Sequence, residues 1–353
     1  MPDLATGPAR IEPAHEAIID LAESAGLDRV MAIEPLPASG NNRVFRVVTG
    51  SGRILVKHYF SRLTDTRDRL DSEFRFADYV SRAAPGSGPR PIAKSERDRI
   101  AAYEFVDGHP FRAGEVAGDE IEAAAEFFEA INAPSARSCA GKLPLASEAV
   151  FSLAGHFDLI GRRLARLDAS ARDGGDSEAS AFIEQLIGDW QRLVERLSTL
   201  AALRSLPLDQ ELAPSQRCLS ASDFGFHNAL RRRNGGIVFL DFEYAGWDDP
   251  TRMLGDFFSQ RAVPVPLSFY ATFVERCLRA LPGPEDLSTR AMLMRPLYLV
   301  KWCCIVLGVF DPETLARRKF ANPTLDEAEV KRHQLTVASG LRQSLKRVLH
   351  ELH

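Results

Sequence analysis

Ser222-Asp223-Phe224-Gly225-Phe226-His227-Asn228-Ala229-Leu230, a turn at Asn234-Gly235-Gly236, and Ile237-Val238-Phe239-Leu240-Asp241-Phe242-Glu243 form the stretch that decides the fold, and it runs on to Asp249-Pro250. Residues 229–233 and 237–240 are short strand-like runs on either side of Asn-Gly-Gly. Asn and Gly accept the positive φ of a tight turn, so the pattern predicts a β-hairpin. Counting outward from the turn brings Asn228 and Asp241 nearly opposite one another at its open end. Two oxygen donors there suit a hard cation such as Mg²⁺, which takes a few carboxylate or amide oxygens together with phosphate and water. Asp223, in the preceding loop, is left free to accept a proton. This is the arrangement needed to orient a hydroxyl and hold Mg²⁺ on a nucleoside triphosphate, so the stretch reads as a catalytic loop for phosphoryl transfer. Taken singly, Asp223 also reads as a turn former and Asn228 as a strand-entry cap.

Upstream, residues 30–36, 44–49 and 54–58 read as three strands, joined by residues 37–42 and by Gly50-Ser51-Gly52. Lys57 lies inside the third, in Ile54-Leu55-Val56-Lys57, where alternation points it opposite Val56. A lysine amid buried aliphatics needs a counter-charge, and Glu73, in the helical stretch 69–80, is the natural candidate. The other reading is an edge-strand lysine whose stem reaches to water.

On Asp223, Asn228, Asp241-Phe242-Glu243 and the Lys57–Glu73 pair, the chain resembles the aminoglycoside phosphotransferase and choline kinase superfamily, the small-molecule branch of the protein-kinase-like fold. The resemblance spans roughly residues 28–260. It implies an α+β, bilobal protein-kinase-like fold, with a small antiparallel β-sheet N-lobe over residues 1–106. A mostly helical C-lobe over 107–353 would carry the catalytic β-hairpin. Asp223 would orient or deprotonate the acceptor hydroxyl, Asn228 and Asp241 would bind Mg²⁺, and Lys57 would pair with Glu73 and the α/β-phosphates. The phosphate loop falls on Ser39, Gly40, Asn41 and Asn42, which also fit an ordinary polar turn. Glu104 and Val106 would form the hinge whose backbone faces the base of ATP, or of GTP.

Some positions depart from that pattern. Ala221 stands where the family has a histidine two residues before the catalytic aspartate, and Met253 replaces an aspartate, with Asp256 three residues on as a substitute. Glu243 occupies the place of the glycine of protein kinases, and only residues 244–248 precede Asp249-Pro250. That dipeptide reads as an N-cap aspartate with proline in the first helical turn, leaving no room for a peptide-docking segment. Trp247 and Asp248 either line the acceptor pocket or stabilise the loop. His227 either reaches the acceptor or packs in the hairpin.

At 353 residues, 45% hydrophobic and 26% charged, the chain can bury the cores of a two-lobe enzyme. A net charge of −4, with no basic tract interleaved with aromatics, argues against a nucleic-acid partner. Five cysteines without Cys-x-x-Cys spacing read as reduced thiols in the cytoplasm, and the N-terminal residues show no basic-then-apolar signal region. Residues 293–310 are the most apolar, but Arg295, Pro296 and Lys301 within them favour a buried helix over a membrane span. Nothing points to a protein partner. Apolar stripes at Ile121, Ala125 and Phe128, at Val150, Leu153, Phe157, Ile160 and Leu164, and at Phe182, Leu186, Trp190, Leu193, Leu197 and Leu200 predict core helices. Residues 168–180, rich in Gly, Ser, Ala and Asp, read as an exposed loop.

From Ser259 onward, 14 Lys and Arg outnumber 9 Asp and Glu, the opposite of what a polycationic acceptor would require. The expected acceptor is therefore a neutral or anionic hydroxylated metabolite, such as a sugar or sugar derivative. Lys301 and Trp302 either grip it or serve as a paired lysine and a core ring. The reaction expected is transfer of the γ-phosphoryl group of ATP to a hydroxyl, with Mg²⁺. The alternatives are a nucleotide-binding pseudokinase acting as a regulatory module, and an aminoglycoside-modifying enzyme.

Overall fold

The computed structural model describes residues 13–37, 42–60, 67–322 and 324–351. Its N-terminal part holds α1 (Pro13–Ser24), β1 (Val30–Leu36), β2 (Arg43–Thr49), β3 (Gly52–His58), α2 (Arg69–Ala83), β4 (Pro91–Ser95) and β5 (Ile100–Glu104). The strands form one antiparallel sheet in the order β1-β2-β3-β5-β4. Alternation along the strands decides which helix covers which face. Phe45, Val47, Ile54, Val56, Ile100 and Ala102 pack with Ile18 and Leu21 of α1. Ala101 and Tyr103 belong instead to the cluster that includes Leu70, Phe76 and Val80 of α2. Lys57 therefore stands in a central strand, between β2 and β5, and not at a sheet edge.

Asp68 caps α2, its carboxylate accepting from the Asp71 N–H at 3.1 Å. The helix runs three residues past the expected Val80, with Arg82 bonded to Asp78 one turn back at 2.7 Å. β5 stops at Glu104, where its pairing with β3 ends at Ile54 and Glu104.

The remainder is mostly helical. It begins with β6 (His109–Pro110), α3 (Gly118–Asn132), α4 (Pro134–Ser138), α5 (Leu153–Asp173) and α6 (Ser177–Leu203). Four short strands follow: β7 (Cys218–Ser220), β8 (Ala229–Arg231), β9 (Ile237–Phe239) and β10 (Gly246–Asp248). The chain ends with α7 (Pro250–Ser259), α8 (Tyr270–Arg279), α9 (Pro284–Val306), α10 (Pro312–Ala321) and α11 (Glu327–Glu351). The predicted stripes on α3, α5 and α6 are buried or half-buried, with Val150 just ahead of α5.

The expectation of a loop over residues 168–180 is wrong. Helix continues on both sides of Gly174, Gly175 and Asp176. Arg172 pairs with Asp168 at 2.9 Å, Ala171 and Ala179 are buried in the core of the helical region, and the Asp176 carboxylate caps α6 at the Ala179 N–H. Alanine is the strongest helix former, so small residues that look loop-like in composition serve here in helices. Gly175, at φ +68°, makes the reversal.

Among the described residues, one stretch, Pro284–Phe310, is long and apolar enough to cross a bilayer, and 78% of its most apolar window is buried within the protein. It is the central helix of the second core, packed with α5, α6 and α11.

Candidate active site

The hairpin pairs Ala229 with Phe239, Leu230 with Val238 and Arg231 with Ile237. Its turn closes through the Arg232 N–H on the Gly236 carbonyl at 2.8 Å, with Gly235 at φ +86°. Both strands are shorter than expected, yet one more bond, from the Leu240 N–H to the Asn228 carbonyl at 2.8 Å, carries the pairing to the open end. Asp241 lies just past it in the left-handed region, at φ +65°, and Ser222 has the same φ on the other side. Few residues other than glycine adopt that conformation, and it persists where surrounding contacts over-determine it. For Ser222 one such contact is Arg252, whose Nη2 donates to the Ser222 Oγ at 3.0 Å.

Asp223 projects from this loop with its side chain 39% exposed. Its two oxygens are held separately: His227 Nε2 meets Oδ1 at 3.0 Å, and Asn228 Nδ2 donates to Oδ2 at 3.1 Å. Asn228 Nδ2 also donates to the Asp223 carbonyl at 3.0 Å. Recession into the protein would raise the carboxyl's pKa, but the bonds from His227 and Asn228 and the charge of Lys301 hold it below the ordinary value. The carboxylate is therefore ionised, with lone pairs left for a hydroxyl.

Lys57 Nζ donates to Glu73 Oε1 and to Asp241 Oδ1, each at 2.7 Å. The sequence thus brings together three charged groups that lie far apart in the chain. Burial alone would lower the lysine's pKa, and Asp241 and Glu73 together reverse the sign and raise it. Burial pushes the Glu73 carboxyl upward, Asp241 and Glu243 add to the rise, and Lys57 opposes it. The second oxygen of Glu73 accepts from the Tyr59 hydroxyl at 2.7 Å, and Tyr59 meets the Tyr103 hydroxyl at 2.8 Å. No sequence pattern announced this buried tyrosine pair, since each ring on its own reads as core.

Asn228 Oδ1 and Asp241 Oδ2 have no hydrogen-bond or ion-pair partner among the described residues, while the other polar atom of each side chain is engaged. One amide and one carboxylate oxygen at the mouth of the hairpin suit Mg²⁺, which completes its shell with phosphate and water. No group of three or more His, Cys, Asp or Glu among the described residues could hold a metal ion.

The loop after Asp241 is tied down along its length. The Arg67 guanidinium, just ahead of α2, donates to the carbonyls of Glu243 at 2.9 Å, Leu145 at 2.8 Å and Ala245 at 2.7 Å. Residues 144–147 run beside the loop: Ala146 N–H donates to the Trp247 carbonyl at 2.8 Å, Trp247 N–H to Pro144 at 2.9 Å, and Ser147 N–H to Tyr244 at 2.9 Å. β10 in turn pairs with β7. Gly246 permits the crossing, because a Cβ there would lie 2.3 Å from the Pro144 carbonyl oxygen. Gly246→Ala should therefore destabilise the protein by about 1–3 kcal/mol or more, measured by urea unfolding. An unchanged unfolding midpoint would show that the two segments can separate freely.

Trp247 and Asp248 serve this loop. Trp247 lies under the Arg137 guanidinium, 5.3 Å from its ring centroid, and buried Asp248 takes Arg252 Nη1 on both oxygens, at 2.9 and 2.8 Å. Asp249 caps α7, as expected, through the Thr251 N–H at 2.8 Å. Its other oxygen takes Arg290 Nε at 2.9 Å, Arg290 Nη2 at 2.6 Å and His156 Nε2 at 3.1 Å.

Asp256 supplies the wall beside Asp223. Its Oδ2 accepts from Lys301 Nζ at 2.7 Å and its Oδ1 from Trp302 Nε1 at 2.9 Å. Lys301 is thus the paired lysine, fully inside the protein, and burial depresses its pKa with help from Arg252 and Arg163. Trp302 stays half-buried, edge-on to His227 with ring centroids 6.5 Å apart. Ser39, Gly40 and Asn41 lie outside the described residues. Asn42 is buried, donating to Glu243 Oε2 at 2.8 Å and accepting from the Phe60 N–H at 3.3 Å. The Glu104 N–H is taken by the Arg90 carbonyl at 2.8 Å, whereas the Val106 backbone has no partner among the described residues.

The profile of the phosphotransferase enzyme family matches residues 32–285, a span that holds the Lys57–Glu73 pair, the hairpin and the tied loop. The chain belongs to that family. No curated protein matches it significantly. Among solved structures, this phosphotransferase is similar to the choline kinase LicA from Streptococcus pneumoniae, with a TM-score of 0.59, 15% identity, and coverage of 93% of this chain and 99% of that one. It is also similar to a choline kinase from Cryptosporidium parvum Iowa II, at 0.56 and 14%, over 90% and 91% of the two chains. A spectinomycin phosphotransferase in complex with ADP and spectinomycin matches at 0.56 and 12%, over 95% and 100%. The shared fold is the protein-kinase-like one, and the protein is a phosphotransferase.

Proposed function

We propose that this phosphotransferase moves the γ-phosphoryl group of ATP to a hydroxyl of a small uncharged metabolite, a sugar or sugar derivative. The observation that carries the choice of acceptor is the state of the acids near Asp223. Asp256 is bonded to Lys301 and Trp302, Asp248 to Arg252, and Glu148 to Arg163. Each of these three carboxylates already has its cation, so none of them is left to meet a polycationic acceptor. The half-buried Trp302 ring beside His227 is instead an aromatic surface, and a sugar packs its C–H groups on such a ring's face.

In this reading Asn228 Oδ1 and Asp241 Oδ2 hold Mg²⁺, which when bound neutralises charge on the phosphates. Lys57, oriented by Glu73, would meet the phosphates from the sheet, and the backbone at Glu104 and Val106 would receive the base. Asp223 accepts the hydrogen of the acceptor hydroxyl and aims its oxygen at the γ-phosphorus. Catalysis then comes from positioning and charge neutralisation.

The test is Mg²⁺-dependent transfer from ATP, with GTP in parallel, across neutral sugars, amino alcohols and aminoglycosides. Neutral sugars should give kcat/KM at least about tenfold above aminoglycosides. The reverse order would replace the sugar reading by the aminoglycoside one.

A further inference from the structure

We infer that His227 is the positioning residue for Asp223, the group that fixes the carboxylate in register with the acceptor hydroxyl; this rests on the reading of Asp223 given above. Asn228 and His227 divide the two carboxylate oxygens between them. They are not equivalent holds. Asn228 shares its Nδ2 between the Asp223 carbonyl and Oδ2, and its Oδ1 is the atom that would take Mg²⁺ in the proposed reading. Amide oxygen and nitrogen belong to one rigid plane, so a cation that drew the oxygen would turn the nitrogen as well, whereas His227 would be left to hold Asp223 alone.

The surroundings of the ring show that its orientation is built. On one side Gly225 makes room, since a Cβ there would lie 2.8 Å from His227 Nδ1. On the other side stands Trp302, its plane at 89° to the imidazole. Trp302 is itself fixed by Asp256, and Asp256 by Lys301. A chain of contacts from α9 thus ends on the imidazole and leaves Nε2 directed at Asp223. His227 Nδ1 is buried with no hydrogen-bond partner, whereas Nε2 lies 3.0 Å from Asp223 Oδ1, so Nε2 is the nitrogen placed to donate. Ala221, where related sequences carry a histidine ahead of the catalytic aspartate, is buried among apolar residues, so the loop receives its imidazole from the opposite side of Asp223.

His227→Leu keeps the volume and removes the donor, and His227→Gln places an amide Nε2 where the ring Nε2 stood. With the best acceptor of the panel, His227→Leu should lower kcat by about 10- to 100-fold, the scale of a misplaced reacting group, with KM for ATP within about twofold. His227→Gln should stay within about threefold of the native kcat, and Gly225→Ala, which pushes the ring, should fall with His227→Leu. An unchanged kcat in His227→Leu, or an equal loss in the glutamine variant, would overturn the assignment. A second readout needs no turnover: in protein labelled with ¹⁵N-histidine, His227 should show the Nε2-protonated tautomer, and its signal should move in Asp223→Ala. An Nδ1-protonated ring, or a signal indifferent to Asp223, overturns the assignment whatever the acceptor. Lack of turnover in the native protein would count against the proposed reaction, and the imidazole signal would then decide the place of His227 alone.

Discussion

Asp223→Ala is expected to lower kcat by about 10²- to 10⁴-fold, the usual worth of a positioned proton acceptor, while nucleotide affinity stays within a few-fold of native. The separation follows from the geometry. Asp223 touches His227 and Asn228, whereas Lys57, Glu73 and Asp241 form their own bonded group on the sheet side. Removing the carboxylate leaves the second bond of Asn228, to the Asp223 carbonyl, in place. Steady-state kinetics with a competent acceptor, beside titration calorimetry with ATP and Mg²⁺, would read the two effects apart. Equal collapse of both would make Asp223 part of the nucleotide site, and near-native turnover would move the proton acceptor elsewhere.

The largest effect on stability is expected at Asp249. Asp249→Ala leaves Arg290, which is 2% exposed, without its carboxylate, and also uncaps α7 and takes the partner from His156 Nε2, leaving that ring only the Tyr298 hydroxyl at Nδ1. Breaking one side of a buried ion pair costs about 3–5 kcal/mol, so urea unfolding should show a large drop in midpoint. A loss under about 1 kcal/mol would mean that Arg290 finds water or another acid. The pH dependence has a definite sign. Burial would raise the Asp249 carboxyl, but Arg290 and His156 hold it far below its ordinary value of 3.8. A depressed carboxylate pKa gives a contribution present in full above the unfolded value and drained as pH falls toward the folded one. The native protein should thus lose stability steeply below about pH 4, and Asp249→Asn, which has no such proton to take up, more gently.

Much of this site is legible in the sequence because its making is local. The hairpin declares itself through Asn234 and Gly235 between two apolar runs, and the spacing of Asp223, Asn228 and Asp241 follows from that turn. Lys57 and Glu73 are legible for a different reason: a charge inside a strand of aliphatics must be answered, and of the acids in the next helix, Asp71, Glu73 and Asp78, Glu73 is the buried one. What escaped is long-range and lacks periodicity. Nothing near Arg67 says that its guanidinium will close on three carbonyls around residues 145 and 243–245. Residues 144–147 have no strand pattern, yet Leu145 bridges to Trp247. Asp256 looked like a stand-in for a missing acid, but its role is set by Lys301 and Trp302, which reach it from a different helix, 45 and 46 residues on in the chain. The failure at residues 168–180 is compositional: Gly, Ser and Asp in quantity suggest a loop, and tertiary burial of Ala171 and Ala179 overrides the suggestion.

The tethering of residues 243–248 also bears on how such an enzyme is controlled. Protein kinases interpose a long segment after the metal aspartate, and its ordering or release is how they are turned on and off. Here the corresponding backbone is short, bridged to residues 144–147, paired with β7 and gripped by Arg67, and a Cβ at Gly246 would already collide. The backbone that a protein kinase leaves to a movable segment is held here by bonds made within the fold itself, to residues 144–147, to β7 and to Arg67.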